Sequence, residues 1–384
     1  MLKVAIIAGE DSGDLCASYL MKAIKISYPQ VQFVGIGGIK MQEQGLTSWY
    51  DIKLISVIGL SEVLKRLPQL LLLRHKMIKN IVKYQPDCFI GVDAPDFTLF
   101  IEKKLKQHNI KTIHYISPSL WAWRYDRIYK IKQTTDLMLC LFPFEPVYYQ
   151  QQKIKVEFVG HPLASIIESH PDLVYYRNKI CDSQIITVQD LVIAVLCGSR
   201  KHEIMILAPE AIKAANIIAN QLSPTKKIIV LLPVSAALAQ CLQLIIDKFE
   251  INFDYKIIVN DTLSAIKASD IALVKSGTVS LEVALCKKPM VIFYKLQKLS
   301  AYFVAKRLKI KFVGLANIIA LELGLKPIIP ELLQEQANST NLAKQLIKVY
   351  NDDNLKSDMI KQFHVIHESL KPPINYKKII ADLI

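Results

Sequence analysis

The chain alternates between short, almost wholly apolar runs and longer stretches in which apolar residues return every three or four positions. In the first half the runs fall at residues 3–8, 31–36, 87–92, 111–116, 135–141 and 155–159. Each has the length of a buried strand, and the segments between them, such as Ser12–Ile26 and Ser61–Tyr84, carry the period of an amphipathic helix. A polar, irregular stretch over Ser165–Gln189 reads as a connection, after which the alternation begins afresh at 192–197, 227–232, 255–259, 271–274 and 289–294. Strands separated by helices predict βαβ units and largely parallel sheets. A chain of 384 residues also exceeds what one core usually organises. The expectation is an α/β protein with two Rossmann-like doubly wound domains, over 1–165 and 190–350, facing across a cleft. A helical tail over 351–384 follows.

Composition narrows the class. Hydrophobic residues make up 52% of the chain, yet no uncharged apolar stretch of about 18 residues occurs, so a spanning helix is not expected. The segment Met1–Gly9 is too short and too strand-like for a signal peptide and lacks a small-residue cleavage site, which predicts a cytoplasmic protein. The 48 Lys and Arg against 34 Asp and Glu give a net charge of +14, an attraction for polyanions that does not separate nucleic acid from an anionic membrane or a phosphorylated substrate. No nucleic-acid module is visible, and no nucleic-acid partner is expected. The seven cysteines form no Cys-x-x-Cys pair and mostly sit in apolar runs, as buried thiols do. No His, Cys, Asp and Glu set has metal spacing, and no Gly-x-Gly-x-x-Gly follows the first strand; neither metal nor cofactor is expected.

Two segments suit a lipid surface. Residues 295–311 carry Lys295, Lys298, Lys306, Arg307, Lys309 and Lys311 without an acid, interleaved with Tyr302, Phe303, Val304 and Leu308. This reads as a basic amphipathic helix on an anionic membrane, or as a solvated helix packed on the body. Leu70, Leu71, Leu72 and Leu73, after Pro68 and between Lys65, Arg66, Arg74 and Lys76, exceed what one core-facing stripe needs. They read as a membrane or acyl-chain patch, or as a helix buried all round.

The chemistry concentrates at strand ends. The run Cys88–Val92 stops at Asp93-Ala94-Pro95-Asp96, so Asp93 is placed at the carboxyl edge of a parallel sheet, where open α/β sheets bind ligands. Asp96, three residues on, is better placed to begin the next helix. The run ending at Ile116 leads into Ser117-Pro118-Ser119-Leu120-Trp121-Ala122-Trp123-Arg124, which holds two of the three tryptophans. Trp121 and Trp123 either pack under this loop or line a sugar or acyl site. In Gly9-Glu10-Asp11-Ser12-Gly13-Asp14, Glu10 and Asp14 either favour the positive end of a helix or meet a ligand, and Ser12 sits in the turn. His161, before Pro162, is structural or part of the cleft. In the second half, Gly198-Ser199-Arg200 and Lys275-Ser276-Gly277-Thr278 each end a strand and open a helix. Their amides and the Arg200 guanidinium either suit a diphosphate or merely cap the helices they open, and Glu282, one turn on, suits ribose hydroxyls.

These segments, with Phe33-Val34-Gly35-Ile36-Gly37-Gly38, Phe142-Pro143-Phe144-Glu145, Phe158–Pro162, Tyr294-Lys295, Ala305–Leu308 and Pro330–Gln334 in order, resemble the lipid-A-disaccharide synthase family over nearly the full length. Leu315-Ala316-Asn317 departs from the family's usual Leu-Pro-Asn and small-residue turn, keeping the asparagine. The resemblance implies the GT-B glycosyltransferase fold and an inverting transfer. UDP-2,3-diacylglucosamine and 2,3-diacylglucosamine 1-phosphate would give the β(1→6) tetraacyl disaccharide 1-phosphate and UDP. It implies Asp93 and Arg200 as the catalytic pair, Ser199, Arg200, Ser276, Gly277, Thr278, Glu282 and Asn317 around UDP, and Glu10, Ser12, Trp121 and His161 on the acceptor side. It also implies a peripheral location on the cytoplasmic face of the inner membrane, and a homodimer formed by exchange of the carboxyl-terminal tail as the alternative to its folding back in cis. Another GT-B enzyme using a UDP-sugar, a peptidoglycan glycosyltransferase or an epimerase, is the alternative; it would not be expected to share Val92–Phe97 and Ser117–Arg124.

Overall fold

The computed structural model describes residues 1–56, 60–121, 125–168, 172–180, 190–222, 226–296 and 311–373. The chain forms two compact units, one of Met1–Pro162 with the stretch from Leu370 onward, the other of Leu163–Ser369. The first contains β1 (Lys3–Ala8), β2 (Gln32–Ile36), β3 (Leu46–Ser48), β4 (Cys88–Val92), β5 (Lys111–Tyr115), β6 (Leu137–Cys140) and β7 (Val156–Phe158). They form one sheet in the order β3-β2-β1-β4-β5-β6-β7, with every pairing parallel. The second contains β8 (Leu191–Leu196), β9 (Ile228–Val234), β10 (Asp254–Val259), β11 (Ile271–Lys275), β12 (Met290–Tyr294) and β13 (Glu331–Leu333). Its sheet, again all parallel, runs β10-β9-β8-β11-β12-β13.

Helices on the sheet faces explain why the central strands read as continuous apolar runs instead of alternating ones. All five residues of β4 and all six of β8 are buried. In the first unit Ile6, Ile7, Phe89, Ile90 and Ile113 pack with Leu20, Met21 and Ile24 of the helix Asp11–Ser27 and with Met77 and Ile81 of the helix Leu60–Tyr84. The strands that periodicity does not predict, β3 and β13, are three residues long and carry Thr47, Ser48 and Glu331, too short and too polar to stand out.

The helix Leu60–Tyr84 runs through Pro68 and separates the four leucines Leu70–Leu73, which do not form the single patch expected of them. Leu73 is buried and Leu70 packs on the core, whereas Leu71 and Leu72 are 38% and 59% exposed, beside Leu67 at 42%. At about 100° per residue, four consecutive positions cannot share one face of a helix. The predicted basic helix 295–311 falls mostly on residues 297–310, outside the described residues.

The segment 351–384, expected as a helical tail, divides between the units. The helix Asp353–Leu370 packs into the second unit through Met359, Phe363 and Ile366. Buried Lys287 Nζ donates to Leu285 O at 2.9 Å and to His367 Nδ1 at 2.6 Å, so His367 uses Nε2–H to donate to Ala164 O at 2.8 Å. The chain then returns to the first unit. Leu370 O accepts from His161 N at 2.8 Å, and a Cβ on Gly160 (φ +79°) would stand 2.6 Å from Pro372 Cα.

Candidate functional site

Each sheet reverses its winding once. In the first, β1 leads outward to β2 and β3 on one side, while β4 starts the walk through β5, β6 and β7 on the other. In the second, the corresponding neighbours are β8 and β11. Adjacent loops diverge at such a switch point, leaving a crevice outside the carboxyl ends of the strands where ligands bind. The register aligns Ala8 with Val92 and Leu196 with Val274. Gly9–Asp14 therefore meets Asp93 at one switch point, and Gly198–Arg200 meets Lys275–Thr278 at the other.

At the first switch point the backbone of Asp93 and Ala94 is left-handed, with φ of +52° and +45°. This conformation is strained for Ala and tolerated by Asp. It is held from several sides: Asp93 N donates to Tyr115 O at 3.0 Å, and Thr98 Oγ1 donates to Asp93 O at 3.0 Å and Ala94 O at 3.1 Å. Gly9 passes so close to Ala94 that a Cβ would collide with the Ala94 methyl. The Asp93 carboxylate is half-buried and makes no hydrogen bond or ion pair among the described residues. Asp96 is occupied elsewhere, its Oδ2 2.6 Å from Arg127 on the protein surface.

Neighbouring positions separate into structural and open ones. Asp14 is buried and structural: its carboxylate accepts from the backbone N–H of Gly38 (2.8 Å), Lys40 (3.1 Å) and Met41 (3.1 Å). Glu10 is the half-buried residue that begins the first helix, and Ser12 is exposed in its first turn. His161 is buried against Phe142, with ring centroids 5.9 Å apart, and burial pushes its pKa down to about 4, so the ring is neutral at pH 7. Trp121 packs edge-on against Phe144 at 5.9 Å, and Phe144 stacks on Phe142. Trp123 lies outside the described residues.

Beside these rings lies Glu145, whose position in Phe142-Pro143-Phe144-Glu145 gives no sign of its role. It is 2% exposed, accepts from Phe142 N at 3.1 Å and neighbours Ser117 and Trp121. Among the described residues the Trp121 indole N–H closes no aligned hydrogen bond. Burial outweighs these contacts and pushes the Glu145 carboxyl up to about 8.

At the second switch point Gly198 turns with φ +109° and Gly277 with φ +151°. Ser199 and Thr278 are exposed, and Arg200 and Glu282 are half-buried at the rim. Gly277 begins the helix Thr278–Leu285, whose first N–H groups are available to an anion. Ser276 is tied down, its Oγ donating to Val313 O at 2.8 Å. Asn317 does not join the ligand-facing set. It is fully buried, donates to Ile329 O (2.9 Å) and Glu331 Oε1 (2.7 Å), and accepts from Ile329 N (3.2 Å). Its amide is committed to fixing Glu331, whose carboxylate accepts from Val313 N (2.7 Å) and Gly314 N (3.0 Å). Asn317 thus shapes the loop that holds Ser276. Glu203 and Lys275 complete this edge, with Lys275 Nζ 2.9 Å from the buried carboxylate.

Two successive all-parallel doubly wound units, the second with an anion-ready switch point, are the architecture of GT-B glycosyltransferases. Similar solved structures include S. aureus MnaA with UDP (TM-score 0.64, 13% identity, 100% of this chain and 98% of that one) and Acinetobacter baumannii MurG (TM-score 0.57, 14% identity, 100% and 99%). At such identities the likeness establishes the fold alone. Sequence is more specific: a family model described as lipid-A-disaccharide synthetase matches residues 4–382, and the chain belongs to this family of glycosyltransferases. The lipid-A-disaccharide synthase of Chromobacterium violaceum is 40% identical over 370 residues, 96% of this chain and 94% of that protein.

Proposed function

We propose that the chain transfers the diacylglucosaminyl group of UDP-2,3-diacylglucosamine to 2,3-diacylglucosamine 1-phosphate, giving a β(1→6) disaccharide and UDP. Membership of the family supports the reaction. The observation that supports its base is Asp93, a carboxylate without a hydrogen-bond or ion-pair partner among the described residues and held in left-handed backbone at a switch point. In a single inverting displacement Asp93 takes the proton of the acceptor 6-hydroxyl as that oxygen attacks the anomeric carbon. The bond from that carbon to the β-phosphate oxygen breaks, and its electron pair leaves with UDP. Arg200, Ser199 and the opening amides of Thr278–Leu285 are placed to receive the diphosphate, and Glu282 to hold the ribose hydroxyls. Fixed donors of this kind stabilise developing charge without reorganising. Glu10, Ser12 and the Trp121 ring stand on the acceptor side, while His161 supports Phe142.

No helix of the described residues is long and apolar enough to cross a membrane. Leu67, Leu71 and Leu72, flanked by exposed Arg66 and Lys76, instead support peripheral attachment to an anionic bilayer, the cytoplasmic face of the inner membrane, from which acylated substrates are taken. The contact of Pro372 with Gly160, made by the tail of a second copy, would give an exchanged homodimer, which sedimentation velocity distinguishes from a monomer. The reaction itself is tested by UDP release from UDP-2,3-diacylglucosamine. Release that requires the acylated 1-phosphate acceptor and yields the disaccharide supports the proposal, and release indifferent to the acceptor defeats it.

A further inference from the structure

Glu203 is a buried carboxylate on which two cations converge. It is 3% exposed and sits beneath Gly198, where any Cβ would collide with its Oε2. Lys275 Nζ stands 2.9 Å from Oε1 and Arg200 Nη1 3.6 Å from it. Among the described residues neither carboxylate oxygen closes an aligned hydrogen bond. The contact is therefore chiefly Coulombic, and it leaves ammonium N–H donors free to point elsewhere.

The position of the ammonium is tightly defined. A Cβ on Gly277 would lie 3.2 Å from Lys275 Nζ, so the charge hangs beside the residue that begins the helix Thr278–Leu285. The Lys275 side chain is 15% exposed, and its Nζ is 5.9 Å from the centre of the Tyr294 ring. Burial raises the Tyr294 pKa, with Glu203 adding to the rise and Arg200 opposing it, which places this phenol in the same field. One carboxylate and two cations leave a surplus positive charge at a helix N-terminus, the electrostatic complement of a diphosphate.

We propose that Lys275 is a second cation for the diphosphate of the nucleotide-sugar donor, directed at the phosphate that carries the leaving charge, and that Glu203 is the positioning residue that holds it there. The assignment rests on the donor-site reading above. As the bond from the anomeric carbon to the β-phosphate oxygen breaks, the electron pair stays on that oxygen and Lys275 donates an N–H hydrogen bond to it; no proton changes hands. Glu203 keeps the side chain in place before the donor arrives, so little rotamer freedom is lost on binding.

Calorimetry of UDP and UMP binding to the full chain tests this, because the two nucleotides differ by the β-phosphate. Lys275→Met should weaken UDP by about 10-fold or more, the worth of a charge-assisted hydrogen bond, and leave UMP close to unchanged. Lys275→Arg should recover part of the loss. Glu203→Gln should reduce the preference for UDP over UMP, because the lysine is no longer held. As Lys275→Met leaves Glu203 buried without its nearest cation, the double variant Lys275→Met/Glu203→Gln removes both charges and should still bind UDP weakly. Recovery of UDP affinity in the double variant would show that the lysine merely neutralises Glu203 and would overturn the assignment. Equal losses for UDP and UMP, or no loss, would overturn it too. A wild-type chain that binds neither nucleotide overturns the donor-site reading and the assignment together, whereas UDP binding indifferent to Lys275 overturns the assignment alone.

Discussion

Replacing Asp93 by Asn isolates proton acceptance from everything else the residue does. Its carboxylate has no hydrogen-bond or ion-pair partner among the described residues, so the amide orphans no buried group. Its φ of +52° is one that Asn adopts as readily as Asp. The variant should therefore fold with stability within about 0.5 kcal/mol of wild type. Loss of a general base costs about 10²–10⁴-fold, or about 2.7–5.4 kcal/mol of transition-state stabilisation at 1.36 kcal/mol per decade. Asp93→Ala should lose the same activity and a further ~1–2 kcal/mol of stability, because alanine lacks the local polar contacts that make left-handed backbone tolerable. The assay is initial-rate disaccharide formation at saturating donor and acceptor, with UDP affinity and thermal midpoint measured on the same preparations. A turnover number for Asp93→Asn within about tenfold of wild type would remove Asp93 as the base. A fall in thermal midpoint large enough to explain the loss would move the residue from chemistry to structure.

Glu145 gives a pH prediction. Its folded pKa of about 8, against an ordinary 4.5, means the native chain keeps a proton that the unfolded chain releases, so stability falls as pH rises from about 4.5 to about 8 and levels off above that. Glu145→Gln should flatten this slope in urea titrations between pH 5 and 8.5, and parallel curves for the two proteins would refute the buried-acid reading. His161 acts in the opposite direction. With a folded pKa of about 4 against 6.5, its contribution is lost as pH falls through that window and cancels in the comparison. Asn317→Ala should destabilise the second unit by about 1–3 kcal/mol by stranding the Ile329 and Glu331 groups, lowering UDP affinity only through the displaced loop. A selective affinity loss with full stability would return Asn317 to the ligand. Leu71→Ser/Leu72→Ser should keep the fold and cut sedimentation with anionic vesicles, each leucine contributing up to about 1.5–3 kcal/mol when buried in lipid. Wild-type binding should also weaken with added salt, and a double variant that unfolds, or that binds vesicles as wild type does, defeats the patch.

What the sequence discloses and what it hides follow one physical division. The strands β1, β4, β8 and β11 are visible because a strand buried on both faces is a local property, an apolar run of fixed length ended by turn chemistry. A residue just past such a run, as Asp93, Arg200 and Gly277 are, is therefore placed at a sheet edge without knowledge of any partner. Roles that depend on a distant partner leave no such trace. Asn317 has the side chain of a ligand contact, but its capacity is taken by Ile329 and Glu331, twelve and fourteen residues on. Glu203 looks like an ordinary first-turn acid until Lys275, from another strand, arrives beside it. The leucine run is the intermediate case. Leu73, Met77 and Ile81 repeat at four-residue spacing and fix the inward stripe, so the outward direction of Leu71 and Leu72 was recoverable from periodicity alone. A site is thus readable in its position before it is readable in its charge balance, because position is set by the strand that carries a residue and charge balance by every strand that ends beside it.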